Sequence, residues 1–381
     1  MRIAMLVRAF SKNGGLELYT YHLVNGLLDR GHSVVVVCEE DDSGLTHPHL
    51  SVQKFAPSAP GSRKSARLLH YLEASSAAIK SAGNFDIIHS QHLPSTLANV
   101  VTFHNHTASR LAQVGYGWER LLTKGKMALV KAYRLRDRFD RMLCVSAKCL
   151  IFPSKICMQD FSNTYSISAT NPRAVCQVAY PGATIMSGTA VSAEVARSND
   201  EFNFLFVGKG FRKKGLDVLL QACAILQSRG KRAHLLIAGL KKKPIDSARL
   251  ALMGLSNRVT YLGFCSDMPA VYARASAIVL PSRIEPFGMA PLQGAAAGLV
   301  PIVSRMCGAA EVLHDGVDSL ILQNHLDANE LAHHMERLIN DRDMTSKLAA
   351  AAKSCAQTVT WDQTVQSTIA AYDAALSNVK S

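Results

Sequence analysis

Four cations crowd one short stretch, FLFVGKGFRKKGLDVLLQA: Lys209, Arg212, Lys213 and Lys214 follow an apolar run that ends at Gly208 and precede a helical pattern that starts at Gly215. Cations at the carboxyl end of a strand, just before a helix, stand where doubly wound sheets hold ligands. There they can neutralise a diphosphate and stabilise it as a leaving group. A plain solvated charge run fits this position less well. Further along, Ala277 to Leu280 reads as a strand, Glu285-Pro286-Phe287-Gly288 as a turn, and Ala290 to Ala297 as a helix stopped by Gly298. A carboxylate thus meets the free amides of a helix start. That combination suits a sugar hydroxyl and an anion side by side.

The first half of the chain offers weaker signals. Gly14-Gly15 lies between an apolar run and a helical pattern, where glycines let backbone amides approach a phosphate; a tight turn is the simpler reading, and the GxGxxG fingerprint is absent. His104 in VVTFHNHT ends a strand pattern and is favoured over His106 as a ligand-facing group, although strand-end histidines are often structural. No third ligand at metal-site spacing accompanies them, so a metal centre is not expected.

These groups need a scaffold, and the apolar pattern supplies one. Strands are expected at Ile3 to Val7, Val34 to Cys38, Ile87 to His89 and Val100 to Phe103, with a helix over Leu16 to Arg30 closed by Gly31. Gln53 to Arg67 reads as a solvated loop. Periodicity lapses over 184 to 202, the expected linker. The βα rhythm then restarts with strands at Asn203 to Gly208, Ala233 to Gly239, Val259 to Leu262 and Ala277 to Leu280, and a helix over Gly215 to Gln227. The fold class is therefore α/β, two Rossmann-like doubly wound lobes facing across a cleft. Residues 1–183 form the first lobe and 184–360 the second. Residues 361–381 form a terminal helix, with an apolar stripe from Trp361 to Leu376, packing back across the lobes.

Composition narrows the classes further. The 381 residues exceed what one core usually serves, and 48% apolar content describes a folded globular chain. Nine cysteines without a C-x-x-C pair argue for a reducing compartment. No apolar run approaches the roughly 20 residues that span a bilayer, and MRIAMLVRAF is too quickly polar for a secretion signal. A cytoplasmic chain, either soluble or peripheral at the inner face of the membrane, is expected. The formal charge of +13 is concentrated in the first half; nucleic-acid binding is set aside because no RNA- or DNA-reading motif accompanies it.

Taken in order, NGGLELYTYHLVNGLLDRGHSVVVV, DIIHS, TFHNH, VAYPGA, VGKGFRKKGLDVLL, VTYLGFCSDMPAVYARASAIVLPSRIEPFG and TWDQTVQSTIAAY resemble the retaining glycosyltransferases of the GT-B fold, family four (group 1). The resemblance spans nearly the whole chain. It implies that Lys209 and Lys214 contact the donor's diphosphate, with Arg212 beside them, and that Gly14 and Gly15 bring amides to the same phosphates. His104 would lie beside the transferred sugar and Glu285, the first glutamate of an E-x7-E motif, near its ring. Phe287, Gly288, Met289 and Ala290 would line the donor site, the last three through backbone amides. The motif's second glutamate is replaced by Gln293, whose amide carbonyl accepts a weaker hydrogen bond from a nucleotide ribose than a carboxylate does. Where the family usually has arginine, Lys209 keeps the charge and loses the planar fork.

The resemblance implies a hexosyltransferase that uses a nucleotide-diphosphate sugar, UDP-linked, retains configuration and needs no metal or other cofactor. The alternative is a catalytically weakened sugar-nucleotide-binding homologue acting through partners, motivated by Gln293. The acceptor is expected from residues 108–142, which hold nine Lys/Arg against three Asp/Glu. Trp118, Leu122, Leu129, Ala132 and Tyr133 recur there at helical spacing, with Lys124, Lys126, Lys131, Arg134 and Arg138 elsewhere on the helix. Such a helix suits an anionic membrane surface, and an ordinary surface helix is the competing reading. With the short DIIHS to TFHNH spacing, it resembles the lipopolysaccharide-core glucosyltransferase branch. The acceptor would then be a membrane-associated glycolipid or polysaccharide such as lipopolysaccharide core.

Overall fold

The structure, a computed structural model, describes residues 1–112, 114, 125, 129–183 and 202–377. It divides into two compact units, Met1–Gly182 with Trp361–Ser381, and Ala183–Thr360. The linker expected over 184–202 lies, apart from Phe202, outside the described residues.

Apolar β-branched runs build the first unit. Its strands are β1 (Arg2–Leu6), β2 (Ala9–Ser11), β3 (Ser33–Cys38), β4 (Glu40–Asp42), β5 (Leu50–Lys54), β6 (Ile87–Ser90), β7 (Val100–Thr102), β8 (Cys149–Phe152) and β9 (Val175–Val178). Seven of them make one sheet in the order β5-β3-β1-β6-β7-β8-β9, every pair parallel. Helices cover both faces, which is why β3 reads as unbroken valine. Val34 and Val36 pack with Leu23, Leu27, Val365 and Tyr372, while Val35 and Val37 turn the other way, towards Tyr71 and Ile79. The terminal helix Trp361–Ser377 thereby gives its apolar stripe to the core of this first unit. The solvated loop expected over 53–67 is shorter than its composition suggests: Gln53 and Lys54 end β5, and the helix Lys64–Ser81 begins before Arg67.

The second unit repeats the plan with β10 (Phe202–Val207), β11 (Ala233–Ala238), β12 (Val259–Gly263), β13 (Ala277–Leu280), β14 (Val300–Ser304) and β15 (Leu320–Leu322). Its parallel sheet runs β12-β11-β10-β13-β14-β15. In both sheets strand order reverses at the middle, between β1 and β6 in the first unit and between β10 and β13 in the second. Loops leaving such neighbours on opposite sides of the reversal open a crevice at the strands' carboxyl ends. Most of the candidate residues follow these strands and β7, which pairs with β6, while Gly14 and Gly15 follow the short strand β2.

Candidate active site

In the second unit the loops after β10 and β13 meet across the reversal. Lys214 Nζ lies 2.9 Å from Glu285 Oε2, with both side chains largely shielded from water. The two residues singled out from separate motifs therefore form one charge pair. Two backbone features make this approach possible. Gly215, which caps the helix Leu216–Ser228, has φ +74°, and a Cβ there would stand 2.0 Å from the Pro281 carbonyl oxygen, so no other residue lets the two loops come this close. Arg283, buried at 5% exposure, fastens them from below. Its guanidinium donates to both oxygens of Asp217 at 2.7 Å and to the Arg212 carbonyl at 2.5 Å, and its backbone N–H donates to the Lys213 carbonyl at 3.0 Å. Gly215 reads in the sequence only as a helix start, and Asp217 and Arg283 carry no motif there.

The remaining second-unit candidates sort by position. Lys209 and Arg212 are exposed on the β10 loop. The Glu285 turn is braced by the next loop, since Gly308 N–H donates to the Glu285 carbonyl and Ala309 N–H to that of Phe287. Phe287 itself is buried, so its side chain packs the turn. Gly288, in the left-handed region at φ +86°, caps the helix Met289–Ala296, whose first amides belong to Met289 and Ala290. Gln293, on that helix, accepts a hydrogen bond from the Tyr272 hydroxyl at 3.1 Å. Burial pushes the Tyr272 hydroxyl well above its ordinary pKa, so it remains a donor.

The first-unit candidates lie just after β2 and β7. Gly14, exposed and at φ +120°, caps the helix Gly15–Leu28, and Gly15 starts it. His104 follows β7 and is held on two sides: its backbone N–H donates to His92 Nδ1 at 3.1 Å, and its Nε2 lies 2.7 Å from Gln91 Oε1. Tyr19 meets its ring edge-on, with centroids 4.9 Å apart. Burial, then the neighbouring His92 and His89, pushes the His104 imidazole well below its ordinary pKa. His106 is a different case. Fully buried, it faces Asp160 at 3.0 Å, and Asp160 also takes the Thr107 N–H and hydroxyl, so this histidine locks the loop.

Of the basic segment 108–142, residues 113, 115–124 and 126–128 lie outside those described, and with them Trp118, Leu122, Lys124 and Lys126. The helix Lys131–Ser146 follows, burying Phe139, Asp140, Leu143 and Cys144. Leu129 and Tyr133, expected on its apolar stripe, are exposed at 81% and 40%, beside exposed Lys131, Arg134 and Arg138. Elsewhere His314, Asp318 and Cys355 place an imidazole, a carboxylate and a thiol within 4.8 Å of one another. Asp318 accepts the His314 backbone N–H at 2.7 Å and faces His314 Nδ1 at 2.8 Å, while the Cys355 thiol donates to the Val312 carbonyl at 3.1 Å. These bonds make a clasp around the turn before β15. Among the described residues no helix is long and apolar enough to cross a membrane.

Two Rossmann-like parallel units in one chain define the GT-B class of fold. Residues 189–354 match the glycosyl transferases group 1, and residues 13–176 match glycosyltransferase family 4. The chain belongs to this family of glycosyltransferases. It is 24% identical to a D-inositol 3-phosphate glycosyltransferase of Thermobifida fusca, over 95% of this chain and 89% of that protein, and 26% identical to one from an Arthrobacter species, over 95% and 90%. Among solved structures it superposes with a TM-score of 0.78 on WaaG, a glycosyltransferase involved in lipopolysaccharide biosynthesis, at 20% identity over 97% of this chain and 98% of that one. HepE of Anabaena, in complex with UDP and glucose, matches with a TM-score of 0.66 at 20% identity and the same coverage.

Proposed function

We propose that this glycosyltransferase moves a hexose from a UDP-linked sugar to a membrane-associated saccharide such as lipopolysaccharide core, with retained configuration and without a metal. The observation that carries the reading is the meeting of Lys214 and Glu285 at the reversal of the second sheet. The likeness to HepE, with its UDP and glucose, and to WaaG supports the donor and acceptor classes.

The residues divide the work as follows. Lys209, Lys214, Arg212 and the amides of Met289 and Ala290 offset the negative charge that grows on the departing diphosphate. Lys214 exchanges its bond to Glu285 for one to phosphate, which frees Glu285 for sugar hydroxyls. With the leaving group neutralised, the glycosidic bond breaks through an oxocarbenium-like state, and the acceptor hydroxyl attacks the face the diphosphate leaves, passing its proton to the departing phosphate oxygen. No enzyme carboxylate is required as a nucleophile. Gly14 and Gly15 bring amides to the phosphates, and His104 faces the sugar. The exposed apolar and basic groups of 129–138 favour an anionic membrane surface as the place where the acceptor is met.

Release of nucleoside diphosphate from a panel of UDP-, GDP- and ADP-sugars, with membrane extract as acceptor, tests the assignment; turnover is expected with a UDP-sugar and is unaffected by EDTA. The anomeric proton coupling of the product reads retention or inversion. Salt-sensitive binding to anionic liposomes is expected to weaken on changing Lys124, Lys126 and Lys131 to Glu. A second reading, a weakened donor-binding homologue, is favoured by Gln293 and its bond to Tyr272. Tight donor binding without turnover on any acceptor would select it.

A further inference from the structure

The first unit holds a chain of neutral hydrogen-bonding groups of which the proposed donor chemistry uses only His104. Tyr372, on the terminal helix, has its hydroxyl 2.7 Å from His89 Nδ1. His89 Nε2 lies 2.7 Å from Thr102 Oγ1 and 3.3 Å from Gln91 Nε2, and Gln91 Oε1 lies 2.7 Å from His104 Nε2. His89 and Gln91 are almost wholly buried. Both lie on or just after β6, at the reversal of the sheet, and His104 leaves the neighbouring strand β7.

One atom sets the direction of the chain. Gln91 Nε2 also stands 3.0 Å from Met5 Sδ. A thioether accepts hydrogen bonds and cannot donate them, so the amide nitrogen faces the sulfur and the amide oxygen faces His104. A carbonyl oxygen has no hydrogen to give. His104 must therefore donate through Nε2–H, leaving its lone pair on Nδ1, which makes no hydrogen bond among the described residues.

We propose that Gln91 is a positioning residue that holds His104 in its Nε2–H tautomer and so presents Nδ1 as a neutral acceptor for a hydroxyl of the sugar. The proposal rests on the reading of His104 as the sugar-facing group. Its chemical sense lies in charge. An imidazolium beside a carbon that gathers positive charge would oppose the reaction, whereas a neutral acceptor fixes the sugar without that cost. The groups that face His104 are His89, Gln91 and His92 from β6 and its loop, and the Tyr19 ring from the helix Gly15–Leu28. Asp140, itself beside Arg136, reaches it only through His92.

Nitrogen-15 imidazole spectra of the full chain, labelled at histidine, test the tautomer, with the His104 signals identified by their loss in His104→Gln. The expected wild-type pattern is Nε2–H, unchanged from about pH 5 to about pH 8. Gln91→Leu should mix the tautomers, and Gln91→Glu, which sets a carboxylate against Nε2, should make His104 take up a proton within that range. With UDP-glucose as the donor probe, Gln91→Leu should lower kcat about tenfold and leave KM within about twofold. Gln91→Glu should lose activity on the acid side and regain it as pH rises. A wild-type Nδ1–H pattern, or Gln91→Leu with tautomer and kcat unchanged, overturns the proposal. Should the spectra and their response to Gln91 come out as expected while wild-type protein fails to turn over UDP-glucose, the sugar-facing reading falls and the positioning by Gln91 stands.

Discussion

The two units share a plan and differ in what they place at its functional point. At the reversal of the second sheet, charge is gathered: Lys209 and Arg212 exposed, Lys214 paired with Glu285, and Arg283 locked on Asp217 beneath them. At the reversal of the first sheet His89, Gln91 and His104 bond to one another as neutral groups, and the Asp140 carboxylate, beside Arg136, stands behind His92. A departing diphosphate needs compensating charge, and a sugar needs directed hydrogen bonds that leave its chemistry undisturbed. On the proposed function one topology serves both, because its loops, and not its strands, carry the difference.

The contrast breaks most visibly in the second unit. On the proposed function Lys214→Ala removes a cation that offsets the charge of the leaving group, and a loss of about 10²- to 10³-fold in kcat is expected, with some loss of stability because Glu285 loses that ion pair. Lys214→Arg should keep part of the rate. Equal activity in Lys214→Ala would mean that charge at this point is not what drives departure of the diphosphate.

Arg283 separates holding from reacting. Its guanidinium is almost fully buried against Asp217, and Arg283→Leu would leave that carboxylate without its partner, at a cost of about 3 kcal/mol. Thermal or urea unfolding should show this loss in the second unit, together with weaker donor binding as the Arg212–Lys213 carbonyls lose their anchor. The double variant Arg283→Leu with Asp217→Leu should recover much of the stability and little of the donor affinity.

Much of this division was legible in the sequence, and the unread part has physical causes. Runs such as Ile3 to Val7 and Ala277 to Leu280 announce strands because both faces of the sheets are covered, so alternation gives way to continuous apolar character. The three-residue strands β2, β4 and β15 carry too little pattern to stand out. The helix Lys64–Ser81 opens with polar residues that read as loop. Lys214 and Glu285 were legible because each closes a strand-turn-helix unit. Arg283 and Asp217 were not, since their pairing is set by the crossing of two loops and leaves no trace in spacing. Gln91 escaped notice because an uncharged amide declares no chemistry until its neighbours are known.

Acid should unsettle the first unit before the second. Burial pulls the His89 imidazole down to about 3 and the His104 imidazole well below its ordinary value, so the folded unit keeps both neutral while the unfolded chain takes up protons below about pH 6.5. The sign follows from linkage: where the unfolded chain binds more protons, stability falls as pH falls. Stability is therefore complete above about pH 6.5. Below it, each histidine costs about 1.4 kcal/mol per pH unit until its folded pKa is reached. Hydrogen exchange at pH 5 against pH 7 should show protection lost first in β6 and β7. Uniform loss across both units would erase the distinction.

The smallest effect tests a neutral polar group at the charged site. Gln293 holds its carbonyl against the Tyr272 hydroxyl, which burial keeps protonated. If Gln293 also binds the nucleotide ribose, Gln293→Glu replaces a neutral acceptor with a charged one that serves Tyr272 and the ribose together, and donor affinity should rise about fivefold. Tyr272→Phe should then weaken donor binding through loss of the amide's orientation. If Gln293 serves only to satisfy Tyr272, the first variant leaves affinity unchanged and the second shifts stability alone. Isothermal titration of UDP against the three proteins distinguishes the outcomes, and a rise with Glu would show that the second unit gains donor affinity from an added charge at this position.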